Sequence, residues 1–204
     1  MRLVAVSKSQ PAEAVAEAFA AGVRDFGENY VQDALQKIGA LGALGATWHF
    51  IGHLQGNKAR EVAEHFDWVH GVDRLRIAQA LSRARPEGLE PLQACIQVNI
   101  SGEAAKGGVE PGEALALARE VSRLPRLRLR GLMGMASFTD DAALQRSQFA
   151  TLARVKDEIV AAGVALDTLS MGMSQDFEAA LAEGSTMVRI GTALFGERKS
   201  KKAA

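Results

Sequence analysis

Four short stretches of this chain carry side chains able to do chemistry, and each ends what reads as a strand. Leu169-Ser170-Met171-Gly172-Met173-Ser174 and, one short helix later, Met187-Val188-Arg189-Ile190-Gly191-Thr192 both run from apolar residues into small and hydroxylated ones. Strand ends built of Gly, Ser and Thr let backbone N–H groups and hydroxyls crowd around an anion, where bulky side chains would not. Two such ends side by side would cradle a phosphate. Ser174 can also start the helix expected over 177–182, whose first N–H groups would face the same anion. Arg189 and Gly191 share a strand face, so Arg189 can reach a ring or carboxylate while Gly191 admits phosphate to the backbone. The alternative is a pair of tight glycine turns with Arg189 bound to a nearby carboxylate.

Far upstream, Leu3-Val4-Ala5-Val6-Ser7-Lys8 sets a lysine at the end of another strand. Alternation puts Val4, Val6 and Lys8 on one face. A lysine pointing into a partly desolvated mouth near Arg189 would have its neutral amine favoured, and a neutral amine condenses with an aldehyde. A lysine merely snorkelling from a strand end is the plainer reading. Phe26-Gly27-Glu28-Asn29 places an amide and a carboxylate beside it, although Asn29 would serve equally as an N-cap. The last stretch, Trp48-His49-Phe50-Ile51-Gly52-His53-Leu54-Gln55-Gly56-Asn57-Lys58, is rich in donors. Its two histidines straddle a strand and a glycine turn with no carboxylate between them, which argues against zinc.

The elements that must position these residues alternate from end to end. Apolar runs over 3–7, 25–28, 47–51, 68–72, 92–100, 129–135, 168–171 and 187–190 read as strands. Helical patterns lie between them, including 12–21, 31–41, 73–83, 111–122, 140–161 and 177–182. Asp73 and Asp140 are the expected N-caps, Pro111 falls in a first turn, and Gly163 follows the longest helix. The strands are continuously apolar, as in a parallel sheet covered on both faces. Eight strand–helix units predict an α/β, single-domain TIM (β/α)8 barrel over 1–196, with 197–204 as a frayed basic tail. A doubly wound open sheet gives the same alternation and is the competing architecture. A phosphate cradle at strands seven and eight favours the barrel, and a lysine on its rim suggests pyridoxal phosphate held as a Schiff base.

Composition narrows the function classes. Lys+Arg and Asp+Glu each total 24 among 204 residues, so no global field draws in nucleic acid or a membrane surface. No run of apolar residues is long enough to span a bilayer, and the N-terminus carries no secretory signal pattern. The single cysteine, Cys95, sits in an apolar run, fills core and suits a reducing cytoplasm.

Taken together and in order, Val4-Ala5-Val6-Ser7-Lys8, Phe26-Gly27-Glu28-Asn29, His49-Phe50-Ile51-Gly52-His53-Leu54-Gln55, Gln97-Val98-Asn99-Ile100 and the run from Leu169 to Gly196 resemble the pyridoxal phosphate homeostasis family. That family is related to the barrel domain of bacterial alanine racemases. Gly184-Ser185-Thr186-Met187-Val188-Arg189-Ile190-Gly191-Thr192 is the most specific part of the match. The resemblance implies pyridoxal 5'-phosphate (PLP) in a covalent aldimine with Lys8, and Ser174, Gly191 and Thr192 around its phosphate. It further implies Arg189 near the pyridine nitrogen, Asn29 in the pocket, a monomer, and the barrel without the racemases' second, β-rich domain. Two departures stand out: relatives carry a helix before the first strand, and they more often have Ser or Thr at the position of Gly56.

The expected function is a cytoplasmic PLP carrier that stores the cofactor or hands it to PLP-requiring apoenzymes, with no robust catalysis of its own. A cation at the ring nitrogen weakens the ring as an electron sink. Racemases offset this with a tyrosine from the second domain, and the one tyrosine here, Tyr30, follows strand two. The competing readings are a single-domain racemase-like enzyme using water or Tyr30, and a phosphosugar enzyme using Lys8. The latter would want a carboxylate pair for proton shuttling, which is not evident.

Overall fold

A computed structural model describes residues 1–196 and closes the sheet. Eight parallel strands, β1 (Arg2–Val6), β2 (Asp25–Glu28), β3 (Thr47–Phe50), β4 (Trp68–Val72), β5 (Leu92–Gln97), β6 (Leu127–Met133), β7 (Thr168–Ser170) and β8 (Met187–Ile190), run in sequence order around a barrel. β1 pairs with β8 through Arg2↔Met187 to Ala5↔Ile190, which excludes the open doubly wound sheet. The helices are α1 (Ala12–Ala20), α2 (Val31–Leu41), α3 (Ala59–His65), α4 (Leu75–Ala84), α5 (Ala114–Val121), α6 (Ala142–Ala161), α7 (Phe177–Ala182) and α8 (Thr192–Phe195). No helix among the described residues is long and apolar enough to cross a membrane. The expectation for the basic tail falls outside the described residues.

Helix α6 shows how pattern becomes packing. Its buried residues Gln145, Gln148, Phe149, Leu152, Val155 and Ile159 recur at helical spacing and form one stripe. Each fully buried apolar side chain there contributes about 1.5–3 kcal/mol relative to exposure. Asp141 caps it, accepting from the Ala143 and Leu144 amides, so the cap falls one residue past the expected Asp140. Asp73 is likewise no cap: its carboxylate is taken by Arg74, the residue at the N-cap position of α4, whose own side chain makes no capping bond. Pro111 opens a 3₁₀ turn ahead of α5, and Gly163 ends α6 with a φ of 90°.

Two apolar clusters result. The larger lies between strands and helices; the smaller is Val4, Trp68, Cys95, Met133 and Met187, contributed by β1, β4, β5, β6 and β8 to the barrel interior. Cys95 is fully buried, and burial pushes its thiol up to about 12, so it is core filling and not a nucleophile at neutral pH. β2, β4 and β8 match their apolar runs, and the other five strands end sooner than theirs. β5 stops at Gln97 although the run reaches 100: Val98 still donates to the Met133 carbonyl of β6, but Gln97 and Asn99 bond Val109 in an isolated bridge. Gly131 is required on β6, since any side chain would drive its Cβ into the Thr168 carbonyl of β7.

Candidate functional site

All the expected site residues fall at the C-terminal ends of the strands, the end of a (β/α)8 barrel where ligands bind. Ser174 and Thr192, following β7 and β8, line one cleft of about 550 Å³ together with Met135, Phe138 and Gln175. Ser174 Oγ accepts from the Ala193 amide at 3.4 Å. It does not cap α7 as expected; Asp176 occupies that position, and its carboxylate accepts from the Met173 amide. The Ser174 hydroxyl is therefore turned to the start of α8. Gly172 makes the turn out of β7 with a φ of 95°, and a Cβ there would sit 2.7 Å from that of Ala180. Gly191 lies against β1: a Cβ on it would meet the Val6 carbonyl at 3.4 Å. The ends of β7, β8 and β1 thus converge.

Lys8 sits in the turn after β1 and is partly buried. What fixes it is a buried cluster one residue upstream. Lys37 of α2 donates to the Ser7 carbonyl at 2.7 Å and to Glu28 Oε1 at 2.6 Å, and Ser7 Oγ donates to the same carboxylate oxygen at 2.6 Å. Glu28 is fully buried, and its Oε2 has no partner. Burial raises the Glu28 pKa above its ordinary 4.5, outweighing the bonds from Lys37 and Ser7.

Asn29 follows Glu28 and lines a second cleft of about 800 Å³ with Tyr30, Phe50, His53 and Lys58. The capping role is not what it does. Tyr30 holds the N-cap position of α2 without a side-chain bond, and the buried Asn29 Oδ1 has no partner. Gly52 is needed beside it, because a Cβ there would run into the Asn29 carbonyl oxygen. The two clefts hold Asn29, Ser174 and Thr192; Lys8, Arg189 and Gly191 line neither.

Arg189 is 5 % exposed, and burial lowers its pKa to about 10, which still leaves it charged at neutral pH. Its Nη1 donates to the Ser170 carbonyl at 2.6 Å and to Ser170 Oγ at 2.7 Å, and its Nη2 donates to the Gly134 carbonyl at 3.1 Å. The alternative of an arginine paired to a neighbouring carboxylate is not the arrangement found: these partners are neutral. Below it, His70 Nδ1 lies 2.8 Å from Ser170 Oγ, His70 Nε2 lies 3.0 Å from His49 Nδ1, and His49 Nε2 lies 2.9 Å from Asp25 Oδ1. His49 also stacks on Trp68 at 5.4 Å. His53, by contrast, is mostly exposed and faces Asp73 at 3.8 Å, so the two histidines of the stretch point to different places. Among the described residues no three His, Cys, Asp or Glu side chains gather to hold a metal.

His49 and His70 are fully buried, and burial is the first cause holding both below 6.5, His70 well below. Once unfolded, each titrates near 6.5, so below that pH the unfolded chain binds more protons and stability falls as pH drops. Each such proton is worth up to about 1.4 kcal/mol per pH unit. Glu28 works the other way, its raised pKa favouring the fold at pH just above 4.5. From about pH 7 to about pH 5.5 both imidazoles pull toward the unfolded chain, and Glu28 alone opposes them. The urea midpoint is therefore expected to fall between about pH 7 and about pH 5.5, and a flat or rising midpoint would contradict neutral buried imidazoles.

His70 and Lys37 were not singled out in the sequence, and Ser170 and Glu28 entered only as members of their strand-end stretches. The available signal for His70 was a histidine two residues from Trp68 inside the apolar run Trp68-Val69-His70-Gly71-Val72, hence on the same strand face. Lys37 offered none, being one lysine on an amphipathic helix.

Comparison with known proteins places this geometry. Residues 1–199 match the family model described as alanine racemase, N-terminal domain. The chain is 58% identical over 196 residues to a pyridoxal phosphate homeostasis protein of Pseudomonas aeruginosa, covering 96% of this chain and 84% of that one. The solved structure of PipY from Synechococcus elongatus with PLP bound superposes with a TM-score of 0.89 at 41% identity, covering 96% and 92% of the two chains. An alanine racemase of Clostridium difficile shares the fold at 15% identity, with a TM-score of 0.80 over the whole of this chain and 54% of its own.

Proposed function

The chain belongs to the alanine racemase N-terminal domain family and, within it, to the pyridoxal phosphate homeostasis proteins, and from that premise we propose that it binds PLP at the barrel mouth and carries it without turning over a substrate. The observation that carries the reading is the convergence of the β7, β8 and β1 ends, which brings Ser174, Gly191 and Thr192 to the strand that leads into Lys8. The residues fit the group. A cleft of about 550 Å³ suits a small phosphorylated ring, and Ser174 and Thr192 present hydroxyls to it. Asn29 Oδ1 is a buried acceptor awaiting a donor. PipY, solved with PLP bound, supports the same ligand class.

When bound, PLP supplies an aldehyde that condenses with a lysine amine with loss of water, and Lys8 is the residue we assign to that bond. Ser174, Gly191 and Thr192 would hold the phosphate, Asn29 would contribute from the other cleft, and Arg189 would lie toward the ring nitrogen. A guanidinium that remains charged holds its protons and gives none to a ring nitrogen, which suits holding the cofactor better than using it. Tyr30 is 61% exposed and lines the other cleft, not the one lined by Ser174 and Thr192. The same reading has residues 1–196 as the binding unit, acting as a monomer in the cytoplasm and supplying apoenzymes that require PLP.

Incubation of the PLP-loaded protein with D- or L-alanine in deuterated water tests the carrier assignment. The expected result is Cα deuterium incorporation no faster than with free PLP. Exchange above that background that disappears in Lys8→Ala would instead support the racemase-like enzyme.

A further inference from the structure

We propose that Asp25, His49, His70 and Ser170 are positioning residues for Arg189: they form a one-way hydrogen-bond chain along the barrel interior that locks both imidazoles as neutral Nε2–H tautomers and ties the guanidinium at the mouth to a carboxylate at the closed end. Its purpose rests on the cofactor reading above, but the chain is a property of the protein alone.

The direction follows from the two ends. A guanidinium only donates and a carboxylate only accepts. His49 Nε2, 2.9 Å from Asp25 Oδ1, must therefore carry a hydrogen. In a neutral ring His49 Nδ1 is then bare, so His70 Nε2 donates to it across 3.0 Å. That leaves His70 Nδ1 bare to accept from Ser170 Oγ at 2.8 Å, while Ser170 Oγ accepts from Arg189 Nη1 at 2.7 Å. Every donor points away from Arg189 and toward Asp25. The reverse order would need His49 as an imidazolium, fully buried, and would leave the Ser170 hydroxyl facing two donors. Asp25 is the one member near solvent, and Arg2 meets the same oxygen at 3.2 Å from the closed end.

Such a chain polarises each bond by the next. Its effect at the mouth is to hold Ser170 Oγ as an acceptor, so that Arg189 keeps both its direction and its charge in a dry interior. The bonds from Arg189 to the Ser170 and Gly134 carbonyls complete the clamp.

Imidazole ¹⁵N spectra of the cofactor-free protein test the tautomers directly. Both rings are expected to show a protonated Nε2 and a bare Nδ1 at neutral pH, with a through-bond coupling between His70 Nε2–H and His49 Nδ1. An Nδ1–H tautomer or an imidazolium at either position overturns the proposal. Asp25→Asn then separates positioning from mere packing, because the amide oxygen can still accept from His49 while the charge is gone. Exchange of the Arg189 guanidinium hydrogens with water is expected to speed up at least about tenfold, the loss of roughly one charged hydrogen bond's worth of protection. With PLP added, the visible absorbance maximum of that variant is expected to shift from the parent's. Unchanged Arg189 exchange overturns the positioning role. Expected tautomers in a protein that takes up no PLP would instead count against the cofactor reading, leaving the chain intact.

Discussion

Lys8→Ala is expected to abolish the yellow absorbance that the protein retains after PLP is added and the excess removed by desalting. The loss is complete in expectation, because no other change of contact substitutes for a missing amine. Lys8→Arg is expected to fail equally: it preserves the positive charge near the phosphate, but a guanidinium does not condense with an aldehyde near neutral pH. Borohydride reduction should fix the ligand's mass to the parent and to neither variant. Both variants should remain folded, since Lys8 is only partly buried and lies in a turn. A band that survives desalting in Lys8→Ala would move the bond to another lysine. A parent with no band at all would remove PLP as the ligand of this mouth.

Lys37→Met is expected to cost about 3–5 kcal/mol of stability. Lys37 and Glu28 are 2.6 Å apart with side chains 8 % and 0 % exposed, so removing the cation leaves a carboxyl in an apolar layer with only Ser7 to answer it. Glu28→Gln should cost less. The Glu28 pKa is already raised, so a neutral group of the same shape is closer to what the site favours, and the amide can still accept from Lys37. In the double variant Lys37→Met/Glu28→Gln much of the loss should return, because no buried charge remains unpaired. Urea unfolding of the four proteins measures the cycle. A single-variant cost below about 1 kcal/mol for Lys37→Met would mean that water reaches Glu28 and the pair is not a buried one. Since Lys37 also binds the Ser7 carbonyl, its loss should loosen the turn bearing Lys8 and weaken PLP retention in step with stability.

What the sequence by itself determined is local. Apolar runs of strand length, amphipathic stretches of helix length and glycine after α6 are set by neighbours in the chain, so eight units and their order were readable before any contact was known. That Lys8, Asn29, Ser174, Arg189, Gly191 and Thr192 stand at or just past strand ends was readable for the same reason. The errors were local too, and small. Asp141 caps α6 in place of Asp140 because only the observed backbone turns its carboxylate onto two amides, and Ser174 yields the cap of α7 to Asp176. Only the tertiary structure decided closure, through the pairing of β1 with β8, and with it which faces meet inside. His70 and Ser170 lie 100 residues apart, and Lys37 reaches back 30 residues to Ser7. No periodicity encodes such pairs. The first arises because a closed parallel barrel turns alternate side chains from every strand onto one axis, the second because α2 lays Lys37 against the ends of β1 and β2; in both places buried polar groups must find one another for want of water.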